Sequence, residues 1–438
     1  MKGYNIKNVH YLSLLGVILL GILLYGCKFN NEEDKSLESN NNVSDIILEI
    51  DTKEDNSESN KEANIVKKLP QGYIIGMDMS MTIAQENSGV KYKNNNGEEE
   101  DVFKIIHDAG INYVRVRVWN NPYDADGNGY GGGNTDINNA IEISKRASKY
   151  DLKMLIDFHY SDFWADVKKQ QCPKQWQQMN IDEKVSAIYE YTFNSIEMLL
   201  DEGADIGMVQ IGNEIDIGIA GEYSEESAMK LLASASKAVR DVSAQNNKDI
   251  KIVVHFGSSD DSVIKYKADM LALYNIDYDV FGISFYTFWG NTVDRAKECL
   301  LYVKEKYNKE TCILETSWPY TEEDGDGFAN SFSESVVSDY EVSVEGQKKY
   351  ILDIVKAAYD ADAIGVFYWG GEWIPVGRNK EENTVLWEQY GSGWASSFAG
   401  EYDSEDAGRY YGGSGWDNQA LFDFEGKALD SLYFMQDK

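Results

Sequence analysis

Beyond Tyr73 the chain alternates short apolar, β-branched runs with longer stretches whose apolar residues recur every three or four positions. The short runs are Tyr73–Met77, Tyr113–Trp119, Lys153–Phe158, Ile206–Ile211, Lys251–Phe256, Val280–Phe285, Thr311–Leu314 and Ile364–Tyr368, and each has the length and composition of a buried strand. Between them, Val102–Ala109, Ile137–Tyr150, Ile181–Glu202, Ser227–Ala244, Thr292–Tyr307 and Val344–Tyr359 carry the period of amphipathic helices. A last helix is expected over Lys427–Gln436. Strands and helices alternating in this way, at a spacing of roughly 30 to 50 residues, predict an α/β fold, a (β/α)8 TIM barrel forming a single domain with long strand-end loops. An open doubly wound sheet is the alternative; against it, no strand runs into a Gly-x-Gly-x-x-Gly turn that opens a helix.

The pattern before Tyr73 is different. Lys2 and Lys7 precede an apolar stretch from Tyr11 to Leu24, and Leu24-Tyr25-Gly26-Cys27 follows. This is the layout of an export signal, with an apolar run short of the ~20 residues of a spanning helix. A small residue before Cys27, and Leu24 three positions ahead of it, resemble a bacterial lipobox, so residues 1–26 are expected to be a lipoprotein signal peptide and Cys27 the lipidated first residue of an exported, surface-anchored chain. An uncleaved membrane anchor is the alternative. Residues 28–68 are rich in Asn, Ser, Glu, Asp and Lys, too polar to offset the entropy of ordering, and residues 27–68 therefore read as lipidated Cys plus flexible acidic tether. A tether of that length has a root-mean-square reach of about 35 Å. The catalytic body is placed at residues 69–438.

Charge narrows the function. The 438 residues carry a net −33; residues 28–68 hold 11 acidic and 6 basic side chains and the leader two Lys, which leaves −30 on the body. Such a surface repels a phosphate backbone, so a nucleic-acid partner is not expected. Four Cys exclude a disulfide scaffold; with Cys27 lipidated, Cys172, Cys299 and Cys312 remain, and Cys299 and Cys312 could pair or stay reduced and buried. The three His beyond the leader, His107, His159 and His255, form no cluster with zinc spacing. Ten Trp, 29 Tyr and 16 Phe are more than a core of this size requires, and flat aromatic faces suit sugar rings.

In a barrel, chemistry sits just past the C-terminal ends of the strands. The fourth predicted strand delivers Asn213-Glu214 there and the seventh delivers Glu315. Two carboxylates facing across a barrel mouth are the minimal apparatus of glycoside hydrolysis. Arg115 and Arg117 alternate with Val on the second strand, so one face of it is basic and points inward; Arg117, nearest the strand end, is assigned to keep Glu315 ionised. The third strand is followed by Asp157 to Asp166, the sixth by Tyr286-Thr287-Phe288-Trp289 and the eighth by Trp369.

These segments together resemble the endo-β-1,4-galactanases of glycoside hydrolase family 53, retaining enzymes of a large barrel clan. The resemblance rests on Asp157–Trp164, Gly212-Asn213-Glu214, Glu315-Thr316-Ser317-Trp318, and Tyr368-Trp369 with Trp373-Ile374-Pro375-Val376-Gly377. It implies hydrolysis of internal β-1,4 links in type I arabinogalactan by a monomer, with Glu214 as acid/base and Glu315 as nucleophile. Asn213 is suited to the sugar 2-hydroxyl, Tyr286 to orienting Glu315, and Trp369 to the floor beneath the sugar, with His159, Asp162 and Trp164 as further substrate contacts. Another retaining barrel glycosidase, a β-mannanase or β-glucanase, and a glycan-capturing surface lipoprotein remain as alternatives.

Asp324-Gly325-Asp326-Gly327-Phe328-Ala329-Asn330 sets oxygen ligands at alternate positions of a Gly-punctuated loop, as a hard cation requires. The resemblance implies a structural Ca²⁺ here, held by Asp324, Asp326, the Phe328 backbone, Asn330, Ser414 and Asp417, and no organic cofactor. Phe328 stands where relatives have His, Val167 where they have Pro, and Gly370-Gly371 where Glu-Pro is common. The superficially similar Asp124–Gly129 is read as a substrate-side loop.

Overall fold

The computed structural model describes residues 65–258, 260–332 and 339–436. The signal peptide, Cys27 and nearly all of the tether lie outside the described residues. Eight parallel strands close a barrel in sequential order: β1 (Ile74–Asp78), β2 (Tyr113–Val118), β3 (Lys153–Phe158), β4 (Ile206–Ile211), β5 (Lys251–Phe256), β6 (Val280–Ser284), β7 (Glu310–Glu315) and β8 (Gly365–Tyr368). The helices are α1 (Thr82–Asn87), α2 (Val102–Ala109), α3 (Ile137–Ala147), α4 (Ile181–Asp201), α5 (Glu225–Gln245), α6 (Asp261–Leu273), α7 (Val293–Tyr307), α8 (Val344–Asp360), α9 (Lys380–Tyr390) and α10 (Ala407–Tyr410). None of them is long and apolar enough to cross a membrane.

The predicted strands all form, and β3, β4 and β5 match the apolar runs to the residue. The helices missed by periodicity are those with a thin apolar stripe. In α6 the buried positions are Ile264, Ala268, Met270 and Leu271, and α9 buries only Asn383 and Trp387. The last predicted helix is shorter and of 3₁₀ type, Asp430–Gln436. Lys427 cannot join it because its carbonyl, which a helix would need, accepts from Asp423 N–H at 2.8 Å, and Ala428 pairs with Phe422 across that turn. Ile65, ahead of Leu69, is buried and packs into the core.

Two layers fill the barrel. Ile74, Leu155, Met208, Val253, Val280, Cys312, Leu314 and Phe367 make an apolar floor. Above it, Asp78, Arg115, Asp157, Gln210, His255, Ser284 and Glu315 are buried and polar. A floor of hydrocarbon under a hydrogen-bonded layer gives each charged group fixed partners in place of water, which strengthens every contact among them. The register shifts near the end of β7, where Ile283 pairs with Ile313 but Ser284 with Glu315. Leu314 is passed over, so both it and Glu315 face the interior, which strict alternation would forbid.

Candidate active site

Arg115 is the hub of the polar layer. Its guanidinium donates to Glu315 Oε1 at 2.8 Å, Asp157 Oδ2 at 2.8 Å, Asn213 Oδ1 at 2.8 Å, Gln210 Oε1 at 3.3 Å and Asp78 Oδ2 at 3.4 Å. Burial opposes its charge, but Asp157, Glu315 and Asp78 together outweigh that and hold it protonated. Glu315 receives a second bond, from Tyr286 Oη to Oε2 at 3.1 Å. Burial pushes the Glu315 carboxyl up and the Arg115 cation opposes this. Among the described residues no cation lies against Glu214; burial first, then the charge of Glu315, raises its pKa well above the ordinary range. Both carboxyls are raised, Glu214 further than Glu315, so Glu315 is the readier to ionise and Glu214 the readier to keep its proton, the asymmetry that an acid and a nucleophile need.

The β4 turn that presents Glu214 is strained. Gly212 has φ 106° and Glu214 φ 45°, and a non-glycine residue in that region costs about 1–3 kcal/mol. Neighbours hold it there: Gln170 Nε2 donates to the carbonyls of Asn213 (2.8 Å) and Glu214 (3.1 Å), and Ile215 N–H to His255 O at 3.0 Å. Ser284 Oγ lies 2.6 Å from Glu214 Oε1, and the Val167 N–H donates to Oε2 at 3.3 Å. Gly257 packs directly beneath, since a Cβ there would come within 2.3 Å of Glu214 Oε1.

Arg117 is not the partner of Glu315; Arg115 is. Both side chains point inward, as their alternation requires, but an Arg rooted one layer lower has the length to bring its guanidinium up to the mouth. Arg117 lies behind the cleft wall, donating to Gly132 O, with its guanidinium 4.0 Å from the Trp164 ring centroid and 4.9 Å from that of Trp119. Burial pushes its pKa down to about 10. His159 and Asp162 are buried as well, and each is bonded to protein groups. The His159 Nε2 meets Asp157 Oδ2 at 3.1 Å, and its Nδ1 meets Trp119 Nε1 and Ala165 N at 3.2 Å. Asp162 accepts from the backbone of Asn121 (2.9 Å) and Lys174 (2.7 Å), tying the loop after β2 to the loop after β3. Asp124 is satisfied within its own turn by Asp126 and Asn128.

Asn213 sits between Arg115 and Ala165 O, to which its Nδ2 donates at 2.8 Å, leaving its second amide hydrogen for a ligand. The aromatic residues form a continuous wall: Trp164 meets Trp369 (centroids 6.2 Å apart) and stacks on Trp373 (6.3 Å), Trp369 meets Trp416 (5.2 Å), and Trp416 meets Trp289 (6.5 Å). Trp289 is 52% exposed. Gln170, His255 and Trp416 join the site with no local sequence feature that marks them, whereas Ser284 has one, the β6 alternation that turns it inward.

The second cluster assembles as well. One carboxylate oxygen each from Asp324, Asp326 and Asp417 lie within 4.8 Å of one another. Burial, then mutual repulsion, pushes Asp326 up to about 7 and Asp417 up to about 8. Asp417 Oδ1 and Asn330 Oδ1 are buried without a hydrogen-bond partner among the described residues. Ser414 N–H donates to Asp326 Oδ2 at 2.7 Å and its Oγ accepts from Trp416 N at 3.1 Å. The Phe328 ring packs toward Gly412 and Lys380, leaving only its carbonyl for ligation. The three Cys are free; Cys299 Sγ contacts Asp261 while Cys312 Sγ donates to Gly365 O at 3.1 Å.

Residues 74–435 match the sequence model of Glycosyl hydrolase family 53. The chain is 47% identical over 390 residues to the endo-beta-1,4-galactanase of Bacillus subtilis (strain 168), covering 87% of this chain and 90% of that one. It is 30% identical over 338 residues to the arabinogalactan endo-beta-1,4-galactanase of Cellvibrio japonicus (strain Ueda107), covering 74% and 85%. Among solved structures, the family 53 catalytic domain of Ignisphaera aggregans superposes with a TM-score of 0.75 at 35% identity, covering 85% of this chain and 97% of that one. With the barrel, the paired carboxyls and the aromatic wall already in place, the chain belongs to glycosyl hydrolase family 53 and is a glycoside hydrolase.

Proposed function

We propose that the protein hydrolyses internal β-1,4-galactosidic bonds of type I (arabino)galactan by double displacement with retention. Glu214 protonates the leaving oxygen while Glu315 attacks the anomeric carbon, forming a covalent glycosyl-enzyme; Glu214 then deprotonates the water that releases the sugar. The observation that carries this reading is the asymmetry of the two carboxyls. Glu315 is bonded by Arg115 and Tyr286, whereas Glu214 faces no cation among the described residues. Asn213 offers an amide hydrogen to the 2-hydroxyl, and Trp369 with Trp164, Trp416 and Trp289 offers ring faces to the polymer. Asp324, Asp326, Asn330, Ser414, Asp417 and the Phe328 carbonyl hold a structural Ca²⁺, a reading supported by the buried, unpartnered oxygens of Asp417 and Asn330. The chain works as a monomer, exported and tied to the membrane by a lipid on Cys27, so that polymer is cut just outside the cell.

Glu315→Gln should abolish turnover while leaving folding and galactan binding intact. Glu214→Gln should lose galactan hydrolysis but keep activity on a substrate with a very good leaving group. Near-normal turnover by Glu315→Gln would overturn the assignment of nucleophile. Release of reducing ends from galactan, against mannan and cellulose in parallel, tests the substrate.

A further inference from the structure

Resting on the acid/base role of Glu214, we infer that Ser284 and His255 form a hydrogen-bond chain of fixed direction that stores the catalytic proton on Glu214 Oε1, with His255 carrying its own proton on Nδ1. The chain begins at Arg115, which can only donate. Its bonds to Asn213 Oδ1 and Gln210 Oε1 settle which way both amides face. Asn213 Oδ1, an acceptor, lies 2.8 Å from His255 Nδ1, so that nitrogen carries the hydrogen. Gln210 Nε2 also approaches Nδ1, at 3.0 Å, but its two hydrogens have Gly212 O at 3.2 Å and Asn213 Oδ1 at 3.1 Å as acceptors. Burial holds the imidazole neutral, so Nε2 is a bare lone pair, and the group 3.0 Å away is Ser284 Oγ. The serine hydroxyl donates to it. Its only proton is then spent on His255, so the 2.6 Å contact with Glu214 Oε1, which an ionised carboxyl would meet by taking the serine proton, is a hydrogen bond in this arrangement only when the carboxyl carries the proton.

Ser284 works as a rotor. While Glu214 is protonated, the hydroxyl accepts from Oε1 and donates to His255. When the glycosidic oxygen takes the proton, the hydroxyl turns to the carboxylate and His255 Nε2 loses its partner. That loss falls only on the ionised state, so the chain favours the protonated one. Glu214 also faces Glu315 from β7, Tyr286 just after β6, Asp166 after β3 and Asp216 after β4; His255 faces Arg115 from β2, and Asp157 and His159 from the β3 side. Ser284 and His255 are positioning residues, acting through Glu214.

The direct test is ¹⁵N NMR of the full chain labelled at histidine. His255 should be the Nδ1–H tautomer. His159 is the internal control with the opposite one, because its Nδ1 accepts from Trp119 and Ala165 while Nε2 faces Asp157. A proton on His255 Nε2 in the resting enzyme would overturn the inference, because the chain would then run from Gln210 through His255 to an ionised Glu214. The second test is the pH profile of kcat/KM. His255→Asn keeps a group at Nδ1 but offers Ser284 no acceptor, and should move the basic limb to lower pH by about one unit. His255→Gln, which reaches Ser284, should restore most of it. An unmoved or raised basic limb in His255→Asn, with galactan still cleaved, sinks the proposal. Failure of the unmodified chain to cleave galactan would instead remove the functional reading and leave the tautomer result standing.

Discussion

Arg115 and Arg117 stand two positions apart on one face of β2, both buried, and do different work. Arg115 joins three carboxylates and two amides with five donors in a rigid fork, a geometry a point-charge ammonium cannot reproduce. Arg115→Lys should lower kcat/KM by about 10²-fold or more, as loss of a charge-stabilising donor at a reacting group does. Arg117→Lys, which weakens packing on Trp164 and Trp119, should cost less than about tenfold. Steady-state kinetics of the two variants decides between them, and the reverse order would restore Arg117 as the group that ionises Glu315. Sequence pattern identified the basic face; reach across the barrel is a property of tilted strands and long side chains that no local pattern carries. His159 and Asp162 teach the same lesson, since the bonds they make to Asp157, Asn121 and Lys174 are set by the fold and are not written in the strand-end motif. At Val167 the reverse holds, because a residue that departs from the family pattern supplies an N–H to Glu214 that proline lacks.

Among elements, the loop after β7 and the segment before the last 3₁₀ turn depend on each other. Asp326 and Asp417 come from opposite sides, and Ser414 links the cluster to Trp416, which packs on Trp369. Both carboxyls have folded-state pKa values raised to about 7 and about 8. Unfolded, they ionise near pH 4. The folded state therefore binds more protons between those limits, and without a cation stability is present below about pH 4 and is lost as pH rises toward about 8. A bound Ca²⁺ stabilises the ionised forms and removes that loss. Chelator should thus lower Tm by about 5 °C near pH 8 and have little effect near pH 5. It should also raise KM for galactan, through Trp416. Thermal melts with and without chelator at the two pH values check this, and equal melting throughout would count against the cation. The acidic spacing was legible in the loop itself, whereas the buried, unpartnered oxygens that favour a cation exist only once the two segments meet.

For the molecule as a whole, the proposed lipid on Cys27 has its own test. Cys27→Ser should shift activity from the membrane fraction to the soluble fraction without changing kcat on galactan; an unchanged distribution would show that another feature anchors the chain. The amino-acid sequence by itself determined the eightfold alternation, and with it the barrel, because strand and helix periods are local properties written in runs of about 5 to 15 residues. It also determined which two glutamates stand at strand ends, because strand termini follow from the same pattern. The tertiary structure alone decided which arginine serves Glu315, that His159 and Asp162 brace the wall, that Leu314 is bypassed so Glu315 turns inward, and that Ser284 and His255 stand behind Glu214. Each of these depends on side chains from different strands meeting at the barrel axis, at distances fixed by register and tilt, and sequence separation carries no information about such meetings.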